Sequence, residues 1–128
     1  AEVATLRLAG SPLEERGLWA LAGIVRDGVA LSRLFVRNCS LGVGGARALA
    51  EALMGNSSLT TLDLDHNAVG DEGASALSLA LGGSARLAEL DLDDNSITAV
   101  GARALAQALQ GNSALTALDL DENRLGAE

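Results

Sequence analysis

The residues best suited to chemistry in this sequence are aspartates that recur in a short pattern. The pattern reads DLDHN from Asp63, DLDDN from Asp91 and DLDEN from Asp119. Alternating oxygen ligands of this kind begin an EF-hand calcium loop, but that loop also needs glycine at its sixth place and glutamate at its twelfth. Those places hold only alanine or serine after Asp63 and Asp91, so we expect no calcium loop and no resident metal. Weak binding of a divalent cation between stacked aspartates is the alternative.

The other reactive residues do not form a catalytic set. His66 is the only histidine, which excludes a multi-histidine metal cluster, and Cys39 is the only cysteine, which excludes an internal disulfide and a cysteine zinc site. Gly42, Gly44 and Gly45 resemble part of a phosphate loop, but the sequence contains no lysine. Since no acid, base and nucleophile are brought together, we expect no enzyme and no cofactor.

Composition narrows the class of protein further. The 128 residues are 48% hydrophobic but only 2% aromatic, and the net charge is −8. Binding to nucleic acid depends on neutralising phosphates, so we expect no nucleic-acid partner. No apolar run approaches the ~18 residues that span a bilayer, and the first residues lack the pattern of a signal peptide, so we expect no membrane segment. A core of small aliphatic residues at regular spacing indicates a repeat.

The whole sequence follows a repeat of 28 residues. The segments that start at Leu59 and Leu87 align without a gap, and the same step leads back to Leu31 and forward to Leu115. We therefore predict a single domain, 1–128, with repeats 3–30, 31–58, 59–86 and 87–114 and a half repeat 115–128. Because the sequence stops halfway through a repeat, we expect either a segment of a longer protein or an open end that pairs with another copy.

Within each repeat the spacing of apolar residues changes from two to between three and four. Positions 4 and 6 alternate as in a strand with one buried face, and position 1 is also aliphatic, starting with Val3. After a glycine at position 15, apolar residues form one stripe of a helix, and Gly55 and Gly111 predict helix ends in the left-handed conformation. Position 9 predicts a ladder of buried side chains between neighbouring repeats, formed by Cys39, Asn67, Asn95 and Asn123.

The third repeat, LTTLDLDHNAVGDEGASALSLAL, carries a resemblance to a known family. It resembles the ribonuclease-inhibitor class of leucine-rich repeats, and its GDEGA and the GN pairs elsewhere are most similar to the 28-residue repeats of NOD-like immune receptors. The resemblance implies a right-handed α/β horseshoe with parallel strands on the concave face and helices on the convex face. It also implies a cytoplasmic, non-catalytic protein-recognition module within a larger immune-type or regulatory protein.

Positions 3, 5 and 7 are expected to face outward on the concave sheet, with position 8 at its rim. Like charges at strand spacing repel each other, and a basic protein partner would relieve this repulsion. We therefore predict a partner-binding surface made of Arg7, Arg33, Phe35, Arg37, Asp63, Asp65, His66, Glu89, Asp91, Asp93, Asp119 and Asp121. The alternative is that these acids only keep an aliphatic solenoid soluble, in which case the repeats are a structural scaffold or a self-assembling fragment.

Two apolar features stand outside this surface. Trp19 occupies an outward position of the first helix, where it either caps an irregular first repeat or anchors a partner. Leu115, Leu118, Leu120 and Leu125 belong to a half repeat without a helix of its own. They predict self-association through the C-terminal end.

Overall fold

The computed structural model describes residues 4–27, 31–56, 58–83, 86–112 and 114–126; Val3, which begins the first predicted repeat, and Glu128 lie outside these ranges. Strands and helices alternate along the described residues. Their order is β1 Ala4–Ala9, α1 Glu15–Asp27, β2 Leu31–Arg37, α2 Gly42–Met54, β3 Thr61–Asp63, α3 Gly70–Gly83, β4 Glu89–Asp91, α4 Ala99–Gln110 and β5 Ala117–Asp119.

The five strands form one parallel sheet in chain order, β1 to β5. Ala4 pairs with Leu31 across a shift in register. All the other paired strand residues are 28 positions apart, so that Leu34 lies beside Leu6 and Leu62, and Leu90 beside Leu118. Parallel neighbours need a crossover between them, and here each crossover is a helix. The helices pack in the same order, α1 on α2, α2 on α3 and α3 on α4, which gives an α/β solenoid.

The core lies between the sheet and the helices. Leu34, Leu62 and Leu90 from the strands are buried, as are Leu49 and Leu77 from the helices. In the outermost strands the equivalent leucines are only half-buried, because a neighbouring repeat covers them on one side alone. No helix in the described ranges is both long enough and apolar enough to cross a bilayer.

In the third and fourth repeats the glycine at position 15, Gly73 and Gly101, sets how closely the helix approaches the one before it. A Cβ on Gly73 would lie 2.7 Å from the Cβ of Val69 and 3.0 Å from the Cβ of Ala46 in α2. Both distances are below ordinary carbon contacts, so only glycine fits there. The glycine lies inside the first turn, because α2 and α3 begin three residues earlier, at Gly42 and Gly70.

The prediction of left-handed helix ends is wrong. Gly55 and Gly111 follow α2 and α4 with φ of −96° and −100°. The asparagine after the glycine makes the connection instead. The Asn56 side chain donates a hydrogen bond of 2.5 Å from Nδ2 to the Val25 carbonyl, at the end of α1. Its Oδ1 accepts hydrogen bonds from the backbone of Ser58 and Leu59, so one amide joins the end of α1 to the segment that leads into β3.

A second set of asparagine amides joins consecutive repeats beside the strands. Asn67 accepts a hydrogen bond of 2.9 Å from the Cys39 amide at Oδ1 and donates one of 2.6 Å to the Val36 carbonyl from Nδ2. Asn95 bonds in the same way to the Asn67 amide and the Leu64 carbonyl. These amides fix the register of neighbouring repeats because each one bonds to backbone groups of its own repeat and of the repeat before it.

Cys39 occupies the same position but makes a different contact. It is buried, and its Sγ lies 3.3 Å from the carbonyl oxygen of Arg37, two residues away in its own repeat. The first repeat is joined to the second there by backbone bonds instead. The amides of Gly10 and Leu13 donate to the carbonyls of Arg37 and Cys39.

Candidate functional site

The sheet face is the surface made by the strand residues at positions 3 and 5 and by the residues at position 7. The strand register aligns them in rows across the five strands. The central row reads Arg7, Phe35, Asp63, Asp91 and Asp119. The rows on either side include Arg33 and Glu89, and Arg37, Asp65, Asp93 and Asp121.

The N-terminal part of the sheet face is a cluster of three arginines around one phenylalanine. The guanidinium carbon of Arg7 lies 4.4 Å from the centre of the Phe35 ring, and those of Arg33 and Arg37 each lie 5.8 Å from it. These distances fall within the range of cation–π attraction. The ring therefore holds three like charges beside one another, which explains why the single phenylalanine of this chain lies on a surface.

Asp63 pairs with one arginine of this cluster, Arg37. Its burial corrects the expectation that position 5 faces the solvent in every repeat. The residue is 3% exposed rather than open to solvent. Its Oδ2 accepts hydrogen bonds of 2.7 Å from Nε and 2.5 Å from Nη2 of Arg37. The hydrogen bond and the charge of Asp63 raise the pKa of Arg37 above its usual value. Asp63 is neutralised within the chain, so it is not available to a partner in the way that an exposed carboxylate is.

The C-terminal part of the sheet face brings carboxyl groups into contact. Partial burial, a hydrogen bond to Asp91 and the charges of Asp63 and Asp91 raise the pKa of Asp65 to about 8. In the next repeat, partial burial and a hydrogen bond to Asp119 raise the pKa of Asp93 to about 7. The hydrogen bond with Asp93 also lowers the pKa of Asp119. Asp65 and Asp93 therefore keep a proton to a higher pH than an isolated aspartate does, and this shared proton lies in the hydrogen bond to the neighbouring carboxyl group.

These carboxyl groups are also the candidate ligands for a cation. Asp63, Asp65 and Asp91 place one oxygen each within 4.8 Å of one another, and Asp91, Asp93 and Asp119 do the same. Oxygen donors of this kind suit a hard divalent cation. In this geometry a cation would compete with the shared protons for the same oxygens.

A depression of about 280 Å³ lies in the middle of the sheet face. Phe35 and Arg37 bound it on one side and Asp119 on the other, and the short side chains of Thr61 and Ala117 leave the space between them. Glu89 and Asp91 also line it. The depression is thus open to a side chain or an extended segment, with positive charge at one end and negative charge at the other.

His66 lies beyond the strand, at the rim of the sheet face. It adopts a left-handed conformation with φ of 58°, and its Nδ1 lies 2.5 Å from Oδ2 of Asp94 in the next repeat. Both side chains are about half exposed. His66 therefore pairs with a neighbouring acid and is separate from the depression.

One residue that sequence reasoning missed lies on the helix side. Asp71 accepts hydrogen bonds from the Thr98 hydroxyl at 2.7 Å, the Thr98 amide at 2.8 Å and the Gly101 amide at 3.0 Å. The hydrogen bond from the Thr98 side chain contributes most to lowering the pKa of Asp71. Asp71 thus caps the start of α4 from the preceding repeat. The signal was an acid in the first turn of one helix, 27 residues before a threonine at the start of the next.

Comparisons with known proteins agree with this architecture. Residues 55–78 and 87–106 match the sequence model of the leucine-rich repeat family. A solved structure of actin-binding site 2 of leiomodin-1 superimposes with a TM-score of 0.75 at 24% sequence identity. The match covers 83% of this chain and 61% of that chain. A search of curated proteins gave no match. The predicted fold class, a leucine-rich-repeat α/β solenoid, is confirmed.

Proposed function

We propose that this chain is a non-catalytic module that recognises a protein partner and binds a basic segment of it in the depression on the sheet face. One observation carries the proposal. Among the sheet-face acids in the described ranges, only Asp63 forms an ion pair with an arginine. Glu89, Asp91 and Asp119 therefore line the depression without an ion-pair partner among the described residues.

The shared protons explain why a cation would be favoured there. Burial and the neighbouring negative charges raise the pKa values of Asp65 and Asp93, so both groups hold protons near neutral pH. A guanidinium or ammonium group from a partner would relieve that repulsion and also form charge-assisted hydrogen bonds. The negative field of the surface would speed the approach of such a partner.

The comparisons support a binding role at a coarser level. Two segments of the chain match leucine-rich repeats, and the superimposed part of leiomodin-1 is a site that binds another protein, actin. We also propose that the repeats are of the ribonuclease-inhibitor class and similar to those of NOD-like receptors. The chain would then be a cytoplasmic part of a larger immune-type or regulatory protein. A fold of this kind serves many partners, so the site itself must identify the ligand.

The test compares two variants that remove equal charge. Asp91→Asn/Asp119→Asn neutralises the depression, and Glu14→Gln/Glu51→Gln removes two exposed acids elsewhere. A fluorescent peptide with two arginines is titrated at low salt and in about 1 M NaCl, where the Debye length is ~3 Å. We expect the depression variant to bind about fivefold more weakly at low salt, with the control within about twofold. Equal loss in the two variants would contradict the proposal.

A second candidate is self-association through the C-terminal repeat. Leu125 is 42% exposed, while Leu115, Leu118 and Leu120 are only half-buried. Burying this surface against another copy would remove apolar area from water. Sedimentation velocity over a range of concentrations tests it. We expect an association that Leu125→Glu weakens, and a monomer at every concentration would exclude it.

A further inference from the structure

Two exposed arginines on the sheet face form no ion pair with any acid that the structure describes. Within the described residues, Arg7 and Arg33 form no ion pair within 4.0 Å, whereas Arg37 is bound to Asp63 and Arg47 to Glu72. Among the described residues Arg16 and Arg103 also lack such a pair, but they lie on the helices α1 and α4 and not on the sheet face. Arg7 and Arg33 are both exposed and lie on neighbouring strands.

The phenylalanine between them prepares the guanidinium groups for binding. Arg7 lies closest, 4.4 Å from the centre of the Phe35 ring, and Arg33 lies 5.8 Å away. Contact with an aromatic ring restricts the mobility of a guanidinium group and leaves N–H groups at its edge free. Such an edge matches the two oxygens of a carboxylate.

We propose that Arg7 and Arg33, held by Phe35, form a subsite for a carboxylate of the same partner segment. The occupant is an extended peptide with an acidic side chain at one end and a basic side chain at the other. This inference rests on the proposed function, because the depression binds the basic end. A carboxylate is favoured over a phosphate, since the acids beyond Asp63 repel a doubly charged group more strongly than a singly charged one.

The strand spacing sets the distance between the two ends. The carboxylate subsite lies at β1 and β2, and the acids Asp91 and Asp119 lie on β4 and β5. Three strand spacings of ~4.8 Å give ~14 Å. An extended chain covers that distance in about four residues at ~3.3 Å each. A partner of this kind is neutral overall, so the surplus negative charge of the chain does not oppose it, and its charges fix the direction in which it binds.

The experiment uses two peptide probes that differ in one group. Both are acetylated, amidated glycine–serine peptides with one arginine; one carries a glutamate four residues before the arginine and the other carries glutamine there. Binding is followed by NMR, through the side-chain Nε–Hε signals of Arg7 and Arg33 and the backbone signals of Asp91 and Asp119. We expect the glutamate probe to bind about fivefold more tightly and to shift both arginine signals.

Matched variants then test whether Arg7 and Arg33 cause the difference in affinity between the two probes. Arg7→Gln/Arg33→Gln should bring the ratio of the two affinities to about one, while Arg16→Gln/Arg103→Gln, which removes two exposed charges from the helices, should retain about fivefold. The inference is overturned if the glutamate probe leaves the Arg7 and Arg33 signals unshifted, or if the two probes bind equally. A different result would refute the proposed function itself: the glutamine probe would then leave the Asp91 and Asp119 signals unshifted.

Discussion

The shared protons on the sheet face predict that this chain loses stability as the pH rises. The pKa values of Asp65 and Asp93 in the folded chain are about 8 and about 7, above the ~3.9 of an aspartate in an unfolded chain. A group whose pKa is raised by folding makes its full contribution to stability when the pH is below its pKa in the unfolded chain. That contribution is lost as the pH rises through the folded values, so the window runs from about pH 4 to about pH 8.

The magnitude follows from the pKa shifts after allowance for solvent. Each pKa unit corresponds to ~1.4 kcal/mol, but both carboxyl groups are partly exposed, and water screens much of the repulsion. We therefore expect the free energy of unfolding to fall by only about 1–2 kcal/mol between pH 5 and pH 9. For a chain of this size the melting temperature should fall by roughly 4–10 °C.

The double variant Asp65→Asn/Asp93→Asn isolates these two groups. An asparagine keeps the oxygen that accepts the backbone hydrogen bond from the next repeat, 3.1 Å for Asp65 and 2.8 Å for Asp93. Its amide also donates to the neighbouring carboxylate without needing a proton from solution. In urea unfolding followed by circular dichroism, the free energy of unfolding of the variant relative to that of the wild type should increase by about 1–2 kcal/mol as the pH rises.

The control removes the same charge elsewhere. Glu14→Gln/Glu51→Gln accounts for the change in net charge and should keep the pH dependence of the wild type. The reasoning is refuted if the Asp65→Asn/Asp93→Asn variant loses stability with rising pH as steeply as the wild type does. The pH dependence would then arise from groups outside these pairs.

Three further predictions concern the framework that holds the sheet face. Asn67→Ala leaves buried backbone groups unpaired and should cost about 3 kcal/mol in urea unfolding, against about 1 kcal/mol for the partly exposed Asn123→Ala. Gly73→Ala forces a carbon against Val69 and should cost about 1–3 kcal/mol, whereas Gly82→Ala, with nothing within 4 Å, should be neutral or stabilising. Asp71→Ala should cost about 1 kcal/mol at pH 7; because folding lowers the pKa of Asp71, the difference from the wild type should shrink as the pH falls below about 4.

The architecture was readable from the sequence because it depends on spacing alone. A strand has a period of two and a helix a period of 3.6, and an uninterrupted 28-residue step leaves one way to stack them. The position of each leucine in the core follows from that step. The prediction for the GN pairs is wrong because it assigned the role to the glycine. The backbone there has negative φ, and the Asn56 side chain makes the link to the preceding helix.

The candidate site was only partly predictable, since its chemistry depends on distances between repeats. Sequence placed Arg37 and Asp63 on the same face, but only the structure shows the hydrogen bonds that bury Asp63. The cluster around Phe35 depends on side-chain conformations that no spacing encodes. Asp71 was missed for the same reason, because the groups that it caps lie in the following repeat.

The sheet-face aspartates carry a structural role as well as a charge, and the two can be separated atom by atom. Oδ1 of Asp63, Asp91 and Asp119 accepts the backbone N–H two residues later, at 3.1, 3.1 and 3.2 Å. These bonds satisfy backbone donors where the strands end, which explains why an acid or amide suits the position even without a partner. Oδ2 is then the oxygen that bonds to Arg37 in Asp63, and in the other two aspartates it can hold a shared proton or bind a ligand. Replacement by alanine would remove both roles together, whereas asparagine retains the acceptor and removes the charge. Loss of binding in an asparagine variant that unfolds like the wild type therefore reports on charge alone.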